Sequence, residues 1–300
     1  MQKVIPNIWC DGNAEEVAEF YASAFPRATS SIEARYPSEG LADFQAHMAG
    51  QVLTASVQIA GTTFTLINAG DEFRPNSSVS FIVNVDPAAF DRDDSAARVH
   101  LDALWARLSE GGREFIPLGE YPFSRRYGWV EDRFGVSWQL MLTDPDGDPR
   151  PYIIPSLMFA GPVQNRANEA IEFYTSLFDD AEPGNRFPYG EPTGPAAADA
   201  LAFGEFRVGD QWFAVMDSGV EQDVTFTCGV SLEVLCRDQA EIDRLWSALS
   251  ADPEAERCGW LADGFGVSWQ IVPENMGELM QRPGAHEHMM AMTKIVIAEL

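Results

Sequence analysis

The chain has 300 residues, room for two domains of ordinary size, and its 46% hydrophobic and 11% aromatic content describes a packed protein and not a disordered one. A formal net charge of −26 excludes a nucleic-acid binder, which must neutralise phosphates with clustered Lys and Arg, and argues equally against anionic membrane surfaces. No run of about eighteen apolar residues is present to span a membrane, and Cys10, Cys228, Cys236 and Cys258 show no paired C-x-x-C spacing, so neither a zinc site nor a disulfide framework is expected and a reducing cytoplasm fits best.

Along the chain, Val4–Cys10 reads as a short strand, and Asn13 is placed to cap a helix carrying Glu15 and Glu16 in its first turn. Val17, Phe20, Tyr21 and Phe25 recur at helical spacing until Pro26. A long polar connection containing Arg35-Tyr36-Pro37 follows, then a hairpin over 52–60 and 63–68 turning at Ala60-Gly61. Val79–Val85 is another strand, 96–109 a second helix, and 115–127 a Pro- and Gly-containing lead into Gly128-Trp129-Val130-Glu131-Asp132-Arg133-Phe134-Gly135-Val136-Ser137-Trp138-Gln139-Leu140.

That last stretch returns at 259–271 with nine of its thirteen residues identical. It marks an internal duplication. The rest of the order repeats as well: a strand at 153–159, a helix keeping Phe173-Tyr174 in the place of Phe20-Tyr21, and a hairpin displaced by 149 residues, so that Phe213 and Asp217 stand for Phe64 and Asn68. The joint, Thr143 to Pro149, is too rich in Asp, Pro and Gly for regular structure. Two domains are therefore expected, at 1–144 and 150–300, the second ending in an amphipathic terminal helix or helix pair interrupted near Pro283-Gly284.

The first strand with its Pro, the Gly-Asn-Ala-Glu-Glu turn, the Phe-Tyr helix and the doubled Gly-Trp…Phe-Gly-Val-Ser-Trp-Gln strand resemble the PhnB-like branch of the vicinal oxygen chelate superfamily. This is the superfamily of glyoxalase I, extradiol dioxygenases and bleomycin-resistance proteins. The branch also carries an older label of 3-demethylubiquinone-9 3-methyltransferase. The resemblance implies an α+β fold of tandem glyoxalase-like domains, each of two βαβββ modules forming an open barrel around a cavity, with a C-terminal helix. It also implies a fused pseudo-dimer, with a further homodimer left open.

In catalytic members of the superfamily the resemblance implies a divalent metal held by His or Glu from three strands. The matching positions here are about Pro6 and Pro155, then Ser80 and Ser231, then Gln139 and Gln270. These side chains bring no imidazole and no charge, so neither a metal nor a cofactor is expected. The candidate cavity residues are instead polar groups on inward-facing strand positions. They are Gln58, Asn68, Ser80 and Gln139 in the first half, and Arg207, Asp217, Ser231 and Gln270 in the second, with Trp129 and Trp260 at the pocket mouths. Arg207 and Asp217 form a possible pair for a carboxylate or an acid–base group. Equally open is that these groups only satisfy one another inside a sealed barrel. Tyr121, Phe123 and Arg125-Arg126 lie on an extension that the second half lacks, the arginines as surface ion pairs or an anion site.

Three functions compete on this reading. A metal-dependent lyase, isomerase or dioxygenase suits the superfamily but lacks its ligands. A methyltransferase needs a Gly-rich loop in a doubly wound fold, and no Gly-x-Gly-x-x-Gly occurs. A metal-free small-molecule binding or sequestration protein needs only the cavities, and this is the expectation, with the chain's acidity serving solubility more than a cationic partner.

Overall fold

Four modules follow one another, each opened by a strand and a helix whose apolar stripe recurs at three- and four-residue intervals. In the computed structural model, which describes residues 2–39, 41 and 43–300, the first comprises β1 (Val4–Cys10), α1 (Ala14–Ala24), β2 (Ala28–Arg35), β3 (Val52–Ile59) and β4 (Thr62–Asn68). Met1, Gly40 and Ala42, which the first expected domain includes, lie outside the described residues. The second module is β5 (Val79–Val85), α2 (Asp94–Ser109), β6 (Arg113–Tyr121), β7 (Ser124–Glu131) and β8 (Ser137–Leu142). The third is β9 (Ile153–Phe159), α3 (Ala167–Leu177), β10 (Ala181–Pro188), β11 (Leu201–Val208) and β12 (Gln211–Asp217). The fourth is β13 (Val230–Cys236), α4 (Gln239–Leu249), β14 (Trp260–Ala262) and β15 (Ser268–Pro273), followed by the short α5 (Met276–Leu279) and α6 (Ala285–Ala291).

Helix α1 buries Ala14, Val17, Ala18 and Tyr21, and α3 buries Ala167, Ala170, Ile171 and Tyr174, the same stripe twice. Strand β2 falls where the sequence reads as polar connection, and β10 is its counterpart in the third module. They are edge strands with mostly exposed side chains, so no alternation betrays them. The expected lead at 115–127 is likewise a hairpin, β6 to β7.

The sheets do not divide as the chain divides. A seven-stranded sheet runs β14-β15-β13-β1-β4-β3-β2, and an eight-stranded sheet runs β10-β11-β12-β9-β5-β8-β7-β6. The first module thus pairs with the fourth, through antiparallel β1 and β13, and the second with the third, through antiparallel β5 and β9. Within each half the two modules meet back to back through their helix-covered faces. Phe64 of β4 lies 4.9 Å from Phe81 of β5, and Tyr174 of α3 lies 5.5 Å from Trp269 of β15. The four modules close a ring of alternating sheet edges and hydrophobic backs.

One buried carboxylate organises each half. Asp132 Oδ1 accepts from the amides of Phe134 and Val136 (2.9 and 3.1 Å), and its Oδ2 accepts from the Tyr21 hydroxyl and Trp138 Nε1 (2.6 and 2.9 Å). Asp263 does the same with Phe265, Val267, Tyr174 and Trp269 at 2.8, 3.0, 2.8 and 2.8 Å. Burial raises both carboxyl pKa values, and the four donors around each oppose the rise. Gly135 and Gly266, at φ of +87° and +85°, close the turns that wrap these carboxylates.

Helix capping departs from expectation. Asn13 makes no side-chain cap; the α1 N-terminus is held instead by Asn68, whose Oδ1 accepts from Ala14 N at 2.9 Å. Asp217 holds α3 in the same way, accepting from Ala167 N at 3.2 Å. The terminal segment bears the expected interruption, with Gly284 at φ +81° before α6. Its Met292 and Thr293 carbonyls then accept from Cys258 and Gly259 amides, beside β14 where the first half has β6 beside β7.

Two outcomes follow from these contacts. Tyr21→Phe and Tyr174→Phe each remove one hydrogen bond to a buried carboxylate and should each cost about 1.5–3 kcal/mol in urea unfolding. They share no partner, so the double variant should show the sum. Proteolytic cleavage within 144–149 should leave two fragments that elute together at the intact size, because both sheets run across the cut; separation without denaturant would contradict the strand order.

Candidate functional site

Side chains alternate across a strand, so the register assigns every residue to a helix-covered or a helix-free face. In the eight-stranded sheet Ser80, Ser137, Gln139 and Ser156 share the helix-free face, since Ser80 registers with both Ser137 and Ser156 and Gln139 with Ile82. Trp138 points the other way, into the aromatic cluster with Tyr21 and Phe25. Gln139 is fully engaged: its Nε2 donates to Ser80 Oγ at 2.9 Å and its Oε1 accepts from the Tyr127 hydroxyl at 2.6 Å. Trp129 Nε1 donates to Ser137 Oγ at 2.7 Å. Around them Ile82, Ile154 and Ala214 pack with Met141, Phe203 and Trp212. A cavity of about 260 Å³ remains beside the joint, with Ile82, Met141, Ile154 and Phe203 on its wall and the exposed rings of Phe123 and Phe187 at its rim.

The seven-stranded sheet carries the same frame with different contents. Gln270 Nε2 donates to Ser231 Oγ at 2.9 Å, as Gln139 does to Ser80. The counterpart of Tyr127, however, is Cys258, whose Sγ lies 3.8 Å from Met290 Sδ. Among the described residues no donor reaches Gln270 Oε1. At the place of Ile82 stands Glu233, registered between Ile5 and Gln270. It is partly exposed yet crowded by protein atoms, and burial raises its pKa from an ordinary 4.5 to about 7 against the opposing side chains of Asn7 and Thr65. Asn7, registered with Ser231, is 3% exposed, and its Oδ1 has no hydrogen-bond partner among the described residues. Trp9 and Trp260 meet edge to face at 6.1 Å, with Phe73 5.1 Å from Trp9.

The structure redistributes the sequence candidates. Gln58 lies exposed on β3 in the seven-stranded sheet, while Ser80 and Gln139 belong to the eight-stranded one, so the first-half set does not share one cavity. Asn68 and Asp217 alternate onto the helix-covered side, where both are fully used as helix clamps. Arg207 bonds Glu182 at 2.7 Å and the Gly209 carbonyl at 3.1 Å, and forms no pair with Asp217, which lies on the opposite face. Arg125 and Arg126 bind Asp94 and Asp102 of α2 at 2.6 and 2.8 Å as ion pairs. Brought together across the halves are Ser231, Gln270 and Trp260 with the unforeseen Asn7 and Glu233. The signal for Glu233 was present: Val-Ser-Leu-Glu-Val-Leu-Cys has an acid where Val-Ser-Phe-Ile-Val-Asn-Val has isoleucine.

The expected metal positions also shift. Pro6 registers with Leu232 and Pro155 with Phe81, both on the helix-covered face, so the helix-free positions are Asn7 and Ser156. Among the described residues no three His, Cys, Asp or Glu side chains converge. One carboxylate with neutral amides and hydroxyls does not fit a divalent cation, which wants several charged or imidazole ligands.

The family described as 3-demethylubiquinone-9 3-methyltransferase matches residues 2–141 and again 151–272. A PhnB protein of Bacillus cereus, titled as a 3-demethylubiquinone-9 3-methyltransferase, is 29% identical over 47% of this chain and 100% of its own, with a TM-score of 0.40. A Pseudomonas aeruginosa protein is 22% identical over 47% of this chain and 98% of its own, at 0.37. Glyoxalase I of Zea mays covers 93% of both chains at 11% identity and a TM-score of 0.53, a likeness of fold. No curated protein sequence matches the chain.

Glu233 makes stability depend on pH with a defined sign. Its folded pKa lies above the unfolded one, so its contribution is full below about 4.5 and is lost as pH rises through about 7. Glu233→Gln should therefore stabilise the protein by about 1–3 kcal/mol at about pH 8 and leave it unchanged at about pH 4. Urea midpoints of the two proteins across that range check the sign.

Proposed function

The chain belongs to the 3-demethylubiquinone-9 3-methyltransferase family, whose unit it contains twice, and we propose that it is a binding protein for a small organic molecule held on the helix-free face of the seven-stranded sheet. The observation that carries this reading is the buried Asn7 Oδ1 without a partner, set beside Glu233 and the Ser231–Gln270 pair. A buried acceptor left unpaired costs about 1–3 kcal/mol, a cost that a ligand donor removes. The aromatic rings of Trp9, Trp260 and Phe73 stand at the same face, giving the apolar wall that such sites combine with a few convergent polar groups.

Neighbouring chemistries fit these residues less well. The donor set lacks the charge that a metal-dependent glyoxalase or dioxygenase centre requires. Methyl transfer, which the family's description names, calls for a site that places a methyl donor and an acceptor together. The chain has neither a Gly-x-Gly-x-x-Gly loop nor a doubly wound parallel sheet to hold a nucleoside cofactor. The eight-stranded sheet is the second candidate: it has a cavity and an unpartnered Ser156 Oγ of its own, but Tyr127 and Ser80 already satisfy its Gln139 and it carries isoleucine in the place of Glu233.

Thermal denaturation against a panel of small aromatic and amphipathic compounds tests the reading. A ligand at a hundred times its dissociation constant adds about 2.7 kcal/mol, and the corresponding rise in Tm should vanish in Trp260→Ala and persist in Phe123→Ala. The opposite pattern would move the site to the eight-stranded sheet. A panel without any effect on the wild-type protein would remove the binding reading.

A further inference from the structure

We infer that the ligand of the seven-stranded sheet is an organic cation bearing N–H donors, a protonated primary or secondary amine on an aromatic or aliphatic body. The inference rests on the binding reading above and adds the ligand's charge and hydrogen-bond character. Three acceptors converge on one face: the Glu233 carboxylate, the buried Asn7 Oδ1, and Gln270 Oε1, the last two without a donor among the described residues. Asn7 and Thr65 stand beside the Glu233 carboxyl and oppose the rise that burial gives its pKa. An alcohol brings one donor and no charge; an ammonium brings two or three donors and the missing countercharge.

Among the described residues no cation of the protein is paired with Glu233. Glu233 is the one charged side chain among the registered residues of β1, β4, β13 and β15 on this face, which otherwise show Ile5, Asn7, Thr63, Thr65, Ser231 and Gln270 and their apolar neighbours. From β1 it faces Ile5 and Asn7, from β15 Gln270, and from β4 Thr65, none of them titrating in the range of interest. Further along, Cys228 accepts from Ser268 Oγ at 3.6 Å and feels Glu72, a second negative charge. Arg74 stands at the surface, 4.0 Å from Asp11. Lys3 and Arg237 are bound to Glu241. An unpaired carboxylate held among protein atoms favours a bound cation over a bound anion or a neutral molecule. The edge-to-face Trp9–Trp260 pair adds ring faces of the kind that attract ammonium groups, and the chain's net charge of −26 draws cations to the surface as a whole.

Calorimetric titration of the full chain at about pH 8 with three probes of one body separates the terms: phenethylamine, the neutral 2-phenylethanol, and trimethyl(phenethyl)ammonium, which keeps the charge without N–H donors. Phenethylamine should bind about tenfold or more tighter than the alcohol, with the quaternary probe between them. Glu233→Gln should bring amine and alcohol to within about twofold of each other. Because the amine favours ionised Glu233, its affinity in the wild-type protein should fall as pH drops through about 7, with proton release on binding near that pH; alcohol affinity should show no such fall. Equal or tighter binding of the alcohol, or an amine preference unchanged in Glu233→Gln, would overturn the assignment of charge while the binding site stood. Failure of all three probes and of the wider panel would overturn the binding reading and this inference with it.

Discussion

The rest of the structure depends on a carboxylate buried in a turn. Asp132 and Asp263 each bind two amides of their own loop, a helix tyrosine and the tryptophan that is the second residue of the following strand, and so fix the last strand of a half against its first helix. Because side chains alternate, pinning Trp138 and Trp269 to the helix side forces Ser137 and Gln139, and Ser268 and Gln270, onto the other. A slip of one residue would exchange the two sets and turn the tryptophan away from its carboxylate. The polar floor of each helix-free face is thus a consequence of a packing contact on the opposite side of the sheet.

The second constraint is the ring of modules. Since β1 pairs with β13 and β5 with β9, each helix-free face draws its residues from both halves of the chain. Asn7 belongs to the first half; Ser231, Glu233, Gln270 and Trp260 belong to the second. A tandem chain built this way has two faces that are not copies of each other, because one joins the outer modules and the other the inner ones. Substitutions in a single module therefore alter one face alone. On the inner face Tyr127 satisfies Gln139 and Ile82 walls a cavity, and on the outer face Cys258 and Glu233 stand in their places.

Much of this architecture was legible in the residues. The duplication, the helix stripes and the hairpin of the first module all follow from periodicity. Strands β2 and β10 were not legible, because an edge strand with both faces wet has no hydrophobic alternation to read. Nor was the strand exchange, since pairing β1 with β13 spans the whole chain and leaves no local trace. That exchange is why Gln58 and Ser80 were grouped wrongly. The faces of Asn68 and Asp217 were misread for another reason: a polar residue at a strand end looks alike whether it lines a cavity or caps a helix, and here Ala14 and Ala167 amides decide it.

Comparison of Ile82 with Glu233 bears on why the outer face exists in its present form. The two occupy matching positions in the first strand of matching modules, each registered beside the glutamine of the last strand. The inner sheet shows that isoleucine suits this place in the fold, where it packs with Ile154 and Ala214. Ionising a carboxyl crowded by protein atoms here, opposed only by an amide and a hydroxyl, costs up to about 3 kcal/mol relative to its neutral form, judged from the rise of its pKa to about 7. Against a typical stability of about 5–15 kcal/mol that is a substantial loss. A carboxyl in this place, next to the unpartnered acceptor of Asn7, is the feature from which the proposal of a bound ligand starts.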